Sequence, residues 1–198
     1  MDLAEAWNER LAELVGWRTA RRREIDWAGV AARLGTRLPL GYRLLAERFG
    51  AGAFDGLSPL VPGAPDPRLD LEGNAARLAG AAAEWPGRLD PYPVFPAPGG
   101  LLQWLDGEDG QLQAYWLTDA GDPDRWPVLS NGADGTAEEW ERFDGPAGQY
   151  LFRLFTGRRP GAYAGGPPVR FEPVRSARSA VAPWEDAGRE EWSPDPRW

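Results

Sequence analysis

The chain contains no histidine, no cysteine and no lysine, and all 22 of its basic residues are arginine. Histidine is the usual general base near neutral pH, cysteine and lysine are common nucleophiles, and histidine and cysteine are the ligands that zinc prefers. A serine therefore has no histidine or lysine partner to activate it. What remains is carboxylate chemistry: a glycosidase-like acid pair, or oxygen ligation of Mg²⁺ or Ca²⁺. These absences predict that the protein is not an enzyme and carries no cofactor.

Other absences concern the compartment. Without cysteine no disulfide framework can form, and residues 1–10 carry acids where a secretory signal needs a basic and then an apolar region. No stretch approaches the roughly 20 apolar residues that span a bilayer. The sequence therefore predicts a cytoplasmic protein without membrane contact. Its 198 residues, 42% of them hydrophobic, suffice for one cored domain plus an appendage.

The net charge of −8 is distributed unevenly along the chain. Residues 1–50 hold 7 acids and 9 arginines, whereas residues 104–144 hold 11 acids and 2 arginines, a local net of −9. Such a field repels phosphate and attracts basic partners, which disfavours direct nucleic-acid binding. A solvated acidic face that aids solubility explains the same charge.

Hydrophobic spacing of three and four predicts helices over residues 2–15, 27–34, 38–49 and 70–84. Asp26 is the expected N-cap of the second helix, Pro39 falls in the first turn of the third, and Gly50 ends it. The large apolar side chains on these stripes and on the later strands are expected in the core: Trp7, Trp27, Phe49, Phe54, Trp85 and Trp116.

From Tyr92 onward the hydrophobic period becomes two. Residues 100–106 and 111–118 predict a hairpin closed by residues 107–110, followed by strands over 126–130 and 139–143. Asp144 is the expected cap of a last helix that stops at Gly157, and residues 169–174 predict an edge strand. The order predicts an α+β fold in which N-terminal helices pack on a mostly antiparallel sheet, with a closing C-terminal helix. The expected divisions are an N-terminal helix and basic connector over 1–24, a domain over 25–157, and a Pro/Gly/Arg-rich tail over 158–198.

Several stretches together resemble the SUKH superfamily. Residues 38–45 (LPLGYRLL) and 49–54 (FGAGAF) are similar to its L-P-x-x-Y helix and glycine turn. Residues 99–104 (GGLLQW), 115–117 (YWL) and 121–128 (GDPDRWPV) resemble its sheet, and residues 140–157 resemble its closing element. Superfamily members are mostly bacterial immunity proteins of polymorphic toxin systems, and some are fungal regulators of cell-wall synthesis.

The resemblance implies a module that binds a cognate protein toxin and neutralises it by stoichiometric protein–protein interaction, with a basic nuclease as one candidate partner. It carries over no catalytic residue. A regulatory scaffold is the alternative that the fungal members imply. A carboxylate enzyme acting on glycans is a third hypothesis, but Glu138 and Glu139 are adjacent on a predicted strand and would point to opposite faces.

The predicted docking surface combines acids for steering with exposed aromatic side chains for buried area. Its residues are Trp104, Asp106, Glu108, Asp109, Tyr115, Asp122, Asp124 and Trp126. Packing of the aromatic side chains inside the protein is the competing interpretation. Asp119, Asp122 and Asp124 could also suggest Ca²⁺, but the spacing lacks the central glycine and terminal glutamate of an EF-hand, so we expect no metal.

Overall fold

The computed structural model describes residues 2–108, 112–119, 121–131, 140–157 and 168–174. Asp109 and most of the predicted tail lie outside these residues. Within them lie five helices: α1 Leu3–Leu14, α2 Trp27–Leu34, α3 Leu40–Phe49, α4 Leu71–Glu84 and α5 Ala147–Phe155. They also form seven strands: β1 Gly52–Phe54, β2 Leu57–Pro59, β3 Gly100–Gly107, β4 Gln113–Thr118, β5 Val128–Asn131, β6 Glu141–Phe143 and β7 Phe171–Pro173.

Local sequence signals explain where several helices begin and end. The Asp26 carboxylate accepts the Gly29 N–H at 2.9 Å and caps α2 as predicted, and Gly35 ends that helix in the left-handed conformation. The prediction that Asp144 caps α5 is wrong. The helix begins after Pro146, without a side-chain cap. A helix capped by Asp144 would need Gly145 in helical geometry, and the residue before a proline disfavours that geometry.

The seven strands form one sheet in the order β6-β5-β4-β3-β2-β1-β7, and every neighbouring pair is antiparallel. The predicted α+β class is thereby confirmed. The predicted edge strand is also confirmed, since β7 lies at the sheet margin, where Pro173 leaves no ladder hydrogen bond unmade. The chain passes from α5 to β7, so α5 is followed by a further strand.

One face of the sheet carries the main core. Trp104 of β3 and Trp116 of β4 stack there with ring centroids 5.4 Å apart, and Tyr42 of α3 meets Trp116 edge-on at 4.8 Å. Helices α1, α3 and α5 pack together over this face, with buried Asn8 of α1 donating to the Gly41 carbonyl at 3.0 Å. The alternation of strand side chains places both tryptophans toward the helices.

The opposite face is covered over one part. Leu78, from α4, and Leu89 form a second, smaller core there with Leu101, Tyr115 and Leu129 of the sheet. Trp140 closes this core, with its ring 5.6 Å from that of Tyr115. The remaining part of this face carries small and polar side chains.

Most predictions about core aromatics are confirmed. Phe49, Phe54 and Trp116 are buried, while Trp7 and Trp27 are half-buried against neighbouring rings. Trp85 is 63% exposed, so its predicted core position is wrong. Helix α4 ends at Glu84, and the backbone leaves the helical geometry at Trp85 before its ring can continue the buried stripe. No helix in the described residues is long and apolar enough to cross a bilayer.

Candidate functional site

The predicted docking residues fall into two groups at opposite ends of β4. Asp106 and Glu108 lie near the β3–β4 turn, whereas Asp122 and Asp124 follow the other end of β4. The six residues of β4, at about 3.4 Å each, place these ends roughly 20 Å apart. The sequence treated them as one surface, but the structure makes them two.

The three aromatic members are buried, so the prediction that they are exposed is wrong. Trp104, Tyr115 and Trp126 have 0%, 1% and 5% of their surface exposed. Trp104 and Trp126 belong to the main core, and Tyr115 lies under Trp140 in the smaller one. Successive strand side chains point to opposite faces of the sheet, and around Trp104 and Tyr115 both faces are covered. Side chains on either face are therefore buried here. A partner cannot use these rings as anchors without unfolding the sheet.

The loop after β4 is ordered by its own carboxylates. The Asp119 carboxylate accepts the Gly121 N–H at 3.0 Å, and the Asp122 carboxylate accepts the Asp124 N–H at 3.2 Å at the start of a single 3₁₀ turn. The Asp124 carboxylate reaches away from the loop and accepts the N–H of Leu40, the first residue of α3. We call residues 119 and 121–126 the acidic loop.

An arginine that the sequence analysis did not select compensates this loop. Arg37 lies 2.8 Å from Asp122 and 3.8 Å from Asp124, measured between guanidinium nitrogen and carboxylate oxygen. Arg142 similarly lies 2.9 Å from Asp144. The only available signal for Arg37 was the excess of arginine in residues 1–50, because it is 85 residues from Asp122 along the chain. The field around the loop is therefore weaker than the local sequence charge suggests.

A cleft of about 650 Å³ lies beside the acidic loop. Carboxylates, arginines and a proline-rich wall line it: Asp119, Asp122, Asp124, Asp144, Arg125, Arg142, Trp126, Pro127 and Pro146. Among the residues that the structure describes, no group of three acidic side chains is arranged to hold a metal ion. Chemically, the cleft offers paired charges on an ordered backbone.

The second group belongs to a hydrogen-bonded network on the sheet face opposite α1, α3 and α5. One oxygen of the Asp106 carboxylate accepts from the Gln103 amide at 3.1 Å and from the Gln113 amide at 3.2 Å. The Gln113 carbonyl oxygen in turn accepts the Tyr115 hydroxyl at 2.7 Å. Burial, and to a lesser degree the Asp106 charge, raises the pKa of the Tyr115 phenol well above its ordinary value. The phenol therefore stays protonated and remains a donor.

A third surface is basic. The connector after α1 lines a groove of about 500 Å³ with Arg21, Arg22 and Arg23, against the end of α3 and Pro173. Arg22 pairs with Glu5 at 3.1 Å, and Arg23 donates to the Gly63 carbonyl at 3.1 Å. Two of the three guanidinium groups are thus engaged within the protein.

No family model, no curated protein and no solved structure matches this chain. The resemblance to the SUKH superfamily stays a prediction that rests on the motifs in residues 25–157.

Proposed function

We propose that this protein binds a cognate protein toxin in the cytoplasm and neutralises it as a stoichiometric inhibitor, without catalysis. The ordered motifs similar to SUKH immunity proteins support this proposal. So does a composition without histidine, cysteine or lysine, which leaves no side chain with an ordinary pKa near neutral pH.

The observation that carries the proposal is the ordering of the exposed carboxylates. Asp122 and Asp124 are 49% and 36% exposed at their side chains, yet each is held by a backbone N–H and by Arg37. A surface whose polar groups are already fixed loses little conformational entropy when a partner binds. With Asp119, Asp122 and Asp124 against Arg37 and Arg125, the loop keeps a net negative charge. This charge suits a basic partner, because complementary charge raises the association rate and penalises acidic competitors.

The buried aromatic rings change the expected character of the interface. With Trp104, Tyr115 and Trp126 in the two cores, the contact is polar and charge-dominated, and affinity depends on several ordered carboxylates rather than on one aromatic anchor. The association rate should then fall steeply as salt concentration rises.

Co-expression with toxin domains encoded beside this gene tests the proposal. Growth should be restored by the wild-type chain, and the purified pair should form a complex of fixed stoichiometry whose toxin activity is lost. A chain that binds housekeeping proteins but neutralises no neighbouring toxin would indicate the regulatory scaffold instead.

The two acids of the loop are not equally suitable for charge reversal. Asp124 holds the first N–H of α3, so Asp124→Arg would alter stability as well as charge. Asp122→Arg is the cleaner change, because Asp122 is exposed and bonds only within its own turn and to Arg37. If the acidic loop contributes, Asp122→Arg slows association at low salt and leaves the thermal midpoint within a few degrees of wild type.

A further inference from the structure

A continuous row of small and polar side chains crosses six strands on the sheet face opposite α1, α3 and α5. Strand register places Asn131 beside Gln113, Gln113 beside Asp106, and Asp106 beside Ser58. The β1–β2 hairpin brings Ala53 next to Ser58, and Ala53 pairs with Glu172 at the edge. We call this the polar row: Asn131, Gln113, Asp106, Ser58, Ala53 and Glu172.

The polar row is wide enough to receive a folded partner. Six strands spaced about 4.8 Å apart give a width of roughly 24 Å. Among the described residues, the part of this face that is covered ends at Tyr115, and no large apolar side chain belongs to the row. The face therefore cannot bind through hydrophobic burial and has to recognise polar or charged groups.

Asp106 lies near the middle of the row as a carboxylate without an ion-pair partner in the described part of the chain. Its two hydrogen bonds come from the neutral amides of Gln103 and Gln113, and both reach the same oxygen. Only 5% of the Gln103 surface is exposed. Because this side chain is packed in place, its hydrogen bond fixes the position of the Asp106 carboxylate. The arrangement holds the carboxylate group in place and leaves one of its oxygens without a hydrogen bond from those two amides.

The acidic loop differs in this respect. Its Asp122 and Asp124 are already paired with Arg37, and an incoming cation must compete with that guanidinium. On the sheet face, Arg88 is close enough to act on the charge state of Tyr115, but it forms no ion pair with Asp106. Glu108 and Glu172 add negative charge at two margins of the row and have no ion pair among the described residues either.

We propose that the polar row is the docking face for an arginine-bearing surface of the basic protein partner, with Asp106 as its central ion-pairing residue. This inference rests on the proposed function for its partner class. A guanidinium matches the site because it donates several hydrogen bonds to one carboxylate, and the second oxygen of Asp106 accepts none from Gln103 or Gln113.

A hexa-arginine peptide titrated into the ¹⁵N-labelled full chain at low salt tests the docking face. The expected result is a set of chemical-shift changes at the backbone amides of residues 103–106 and 113 and at the side-chain amides of Gln103 and Gln113. Asp106→Asn keeps the side-chain shape and an acceptor oxygen, and it should lower the affinity for the peptide by about two- to fivefold. The matched change Asp122→Asn in the acidic loop should lower the affinity for the peptide by less than about 1.5-fold, because Arg37 already pairs with that carboxylate.

Shift changes confined to residues 119–126, or equal effects of Asp106→Asn and Asp122→Asn, would overturn the inference. Shifts spread evenly over all exposed acids would also overturn it, since they indicate a merely solvated acidic face. This outcome is separate from that of the co-expression test. A chain that neutralises its toxin while Asp106→Asn leaves peptide binding unchanged refutes the docking face and keeps the proposed function. A chain that binds the peptide at Asp106 but neutralises no toxin supports the docking face and refutes the proposed function.

Discussion

The carboxylate of Asp124 accepts a hydrogen bond from the backbone N–H of Leu40, which lies 84 residues earlier in the chain. Leu40 begins α3, and the preceding residue, Pro39, has no side-chain acceptor to cap the helix. The acidic loop therefore supplies from a distance the cap that the local sequence lacks. A negative charge at this position also interacts favourably with the helix dipole.

Asp124→Ala should lower the free energy of unfolding by about 1 kcal/mol, the typical cost of losing an N-cap acceptor. Urea titration followed by circular dichroism measures the change. Asp122→Ala is the matched control, because it removes a more exposed acid of the same loop that also pairs with Arg37 but has no contact with α3, and it should cost less than about 0.5 kcal/mol. Equal losses for the two variants would show that Asp124 does not cap the helix.

Gly41→Ala should destabilise the protein by about 1–3 kcal/mol, the usual range for overpacking. A Cβ atom at Gly41 would lie 2.9 Å from the Cβ of Pro146 and 3.3 Å from that of Ala4, and the proline ring has little freedom to move. The substitution would therefore separate the starts of α1, α3 and α5. Thermal unfolding monitored by tryptophan fluorescence should report a lower midpoint.

Gly80→Ala provides the opposite control for that substitution. Gly80 lies within α4, is exposed, and has no atom within 4 Å of the position of an added Cβ. Alanine there should raise the free energy of unfolding by about 0.5–1 kcal/mol, because it favours the helix and restricts the unfolded chain. A similar loss of stability in Gly80→Ala would mean that the cost of Gly41→Ala is not specific to the contact with Pro146.

Local signals were sufficient to predict most elements of this fold. The caps at Asp26 and Gly50, the helical stripe of α3 and the alternation in β3 and β4 all depend on residues close in sequence. The candidate site was harder to predict because it depends on contacts between distant residues. Alternation shows that Trp104 and Tyr115 point to opposite faces, but not that both faces are covered there.

The pairing of acids with distant arginines could not be predicted from the sequence either. Counting charges over a window of the chain gave the acidic loop its full negative charge, and folding then brought Arg37 onto it. Asp106 lies in the same window, yet its neighbours in space are glutamines. Which acid keeps its charge available is therefore a property of strand register and helix packing.

Arg37→Gln should release the acidic loop for a basic partner. Arg37 and Asp122 are 56% and 49% exposed at their side chains, so losing this pair should change the free energy of unfolding by less than about 1 kcal/mol. The hexa-arginine peptide should then produce additional shifts at residues 119–126, with a steeper dependence on salt. Unchanged shifts at the loop would show that Arg37 does not compete for these carboxylates.

Stability should be nearly independent of pH between about 6 and 9 and should fall above about 10. Without histidine, cysteine or lysine, no side chain has an ordinary pKa in the first range. Burial raises the pKa of Tyr42 well above its usual value, and burial also raises that of Tyr115. A pKa raised by folding means that the folded state holds the proton more tightly. The resulting stability is complete below the unfolded pKa of about 10 and is lost as pH rises through the folded value.

Absorbance at 295 nm, which follows tyrosine ionisation, and circular dichroism should be recorded on the same samples from pH 6 to 12. The phenols of Tyr42 and Tyr115 should ionise only as the secondary structure is lost. Tyr115→Phe should make the alkaline loss of stability shallower, because that variant has one fewer phenol to deprotonate on unfolding. Its neutral-pH stability should fall only slightly, since the hydroxyl bonds to a side chain that Asp106 also holds. Ionisation of all phenols near pH 10 with the fold intact would contradict the burial of both hydroxyls.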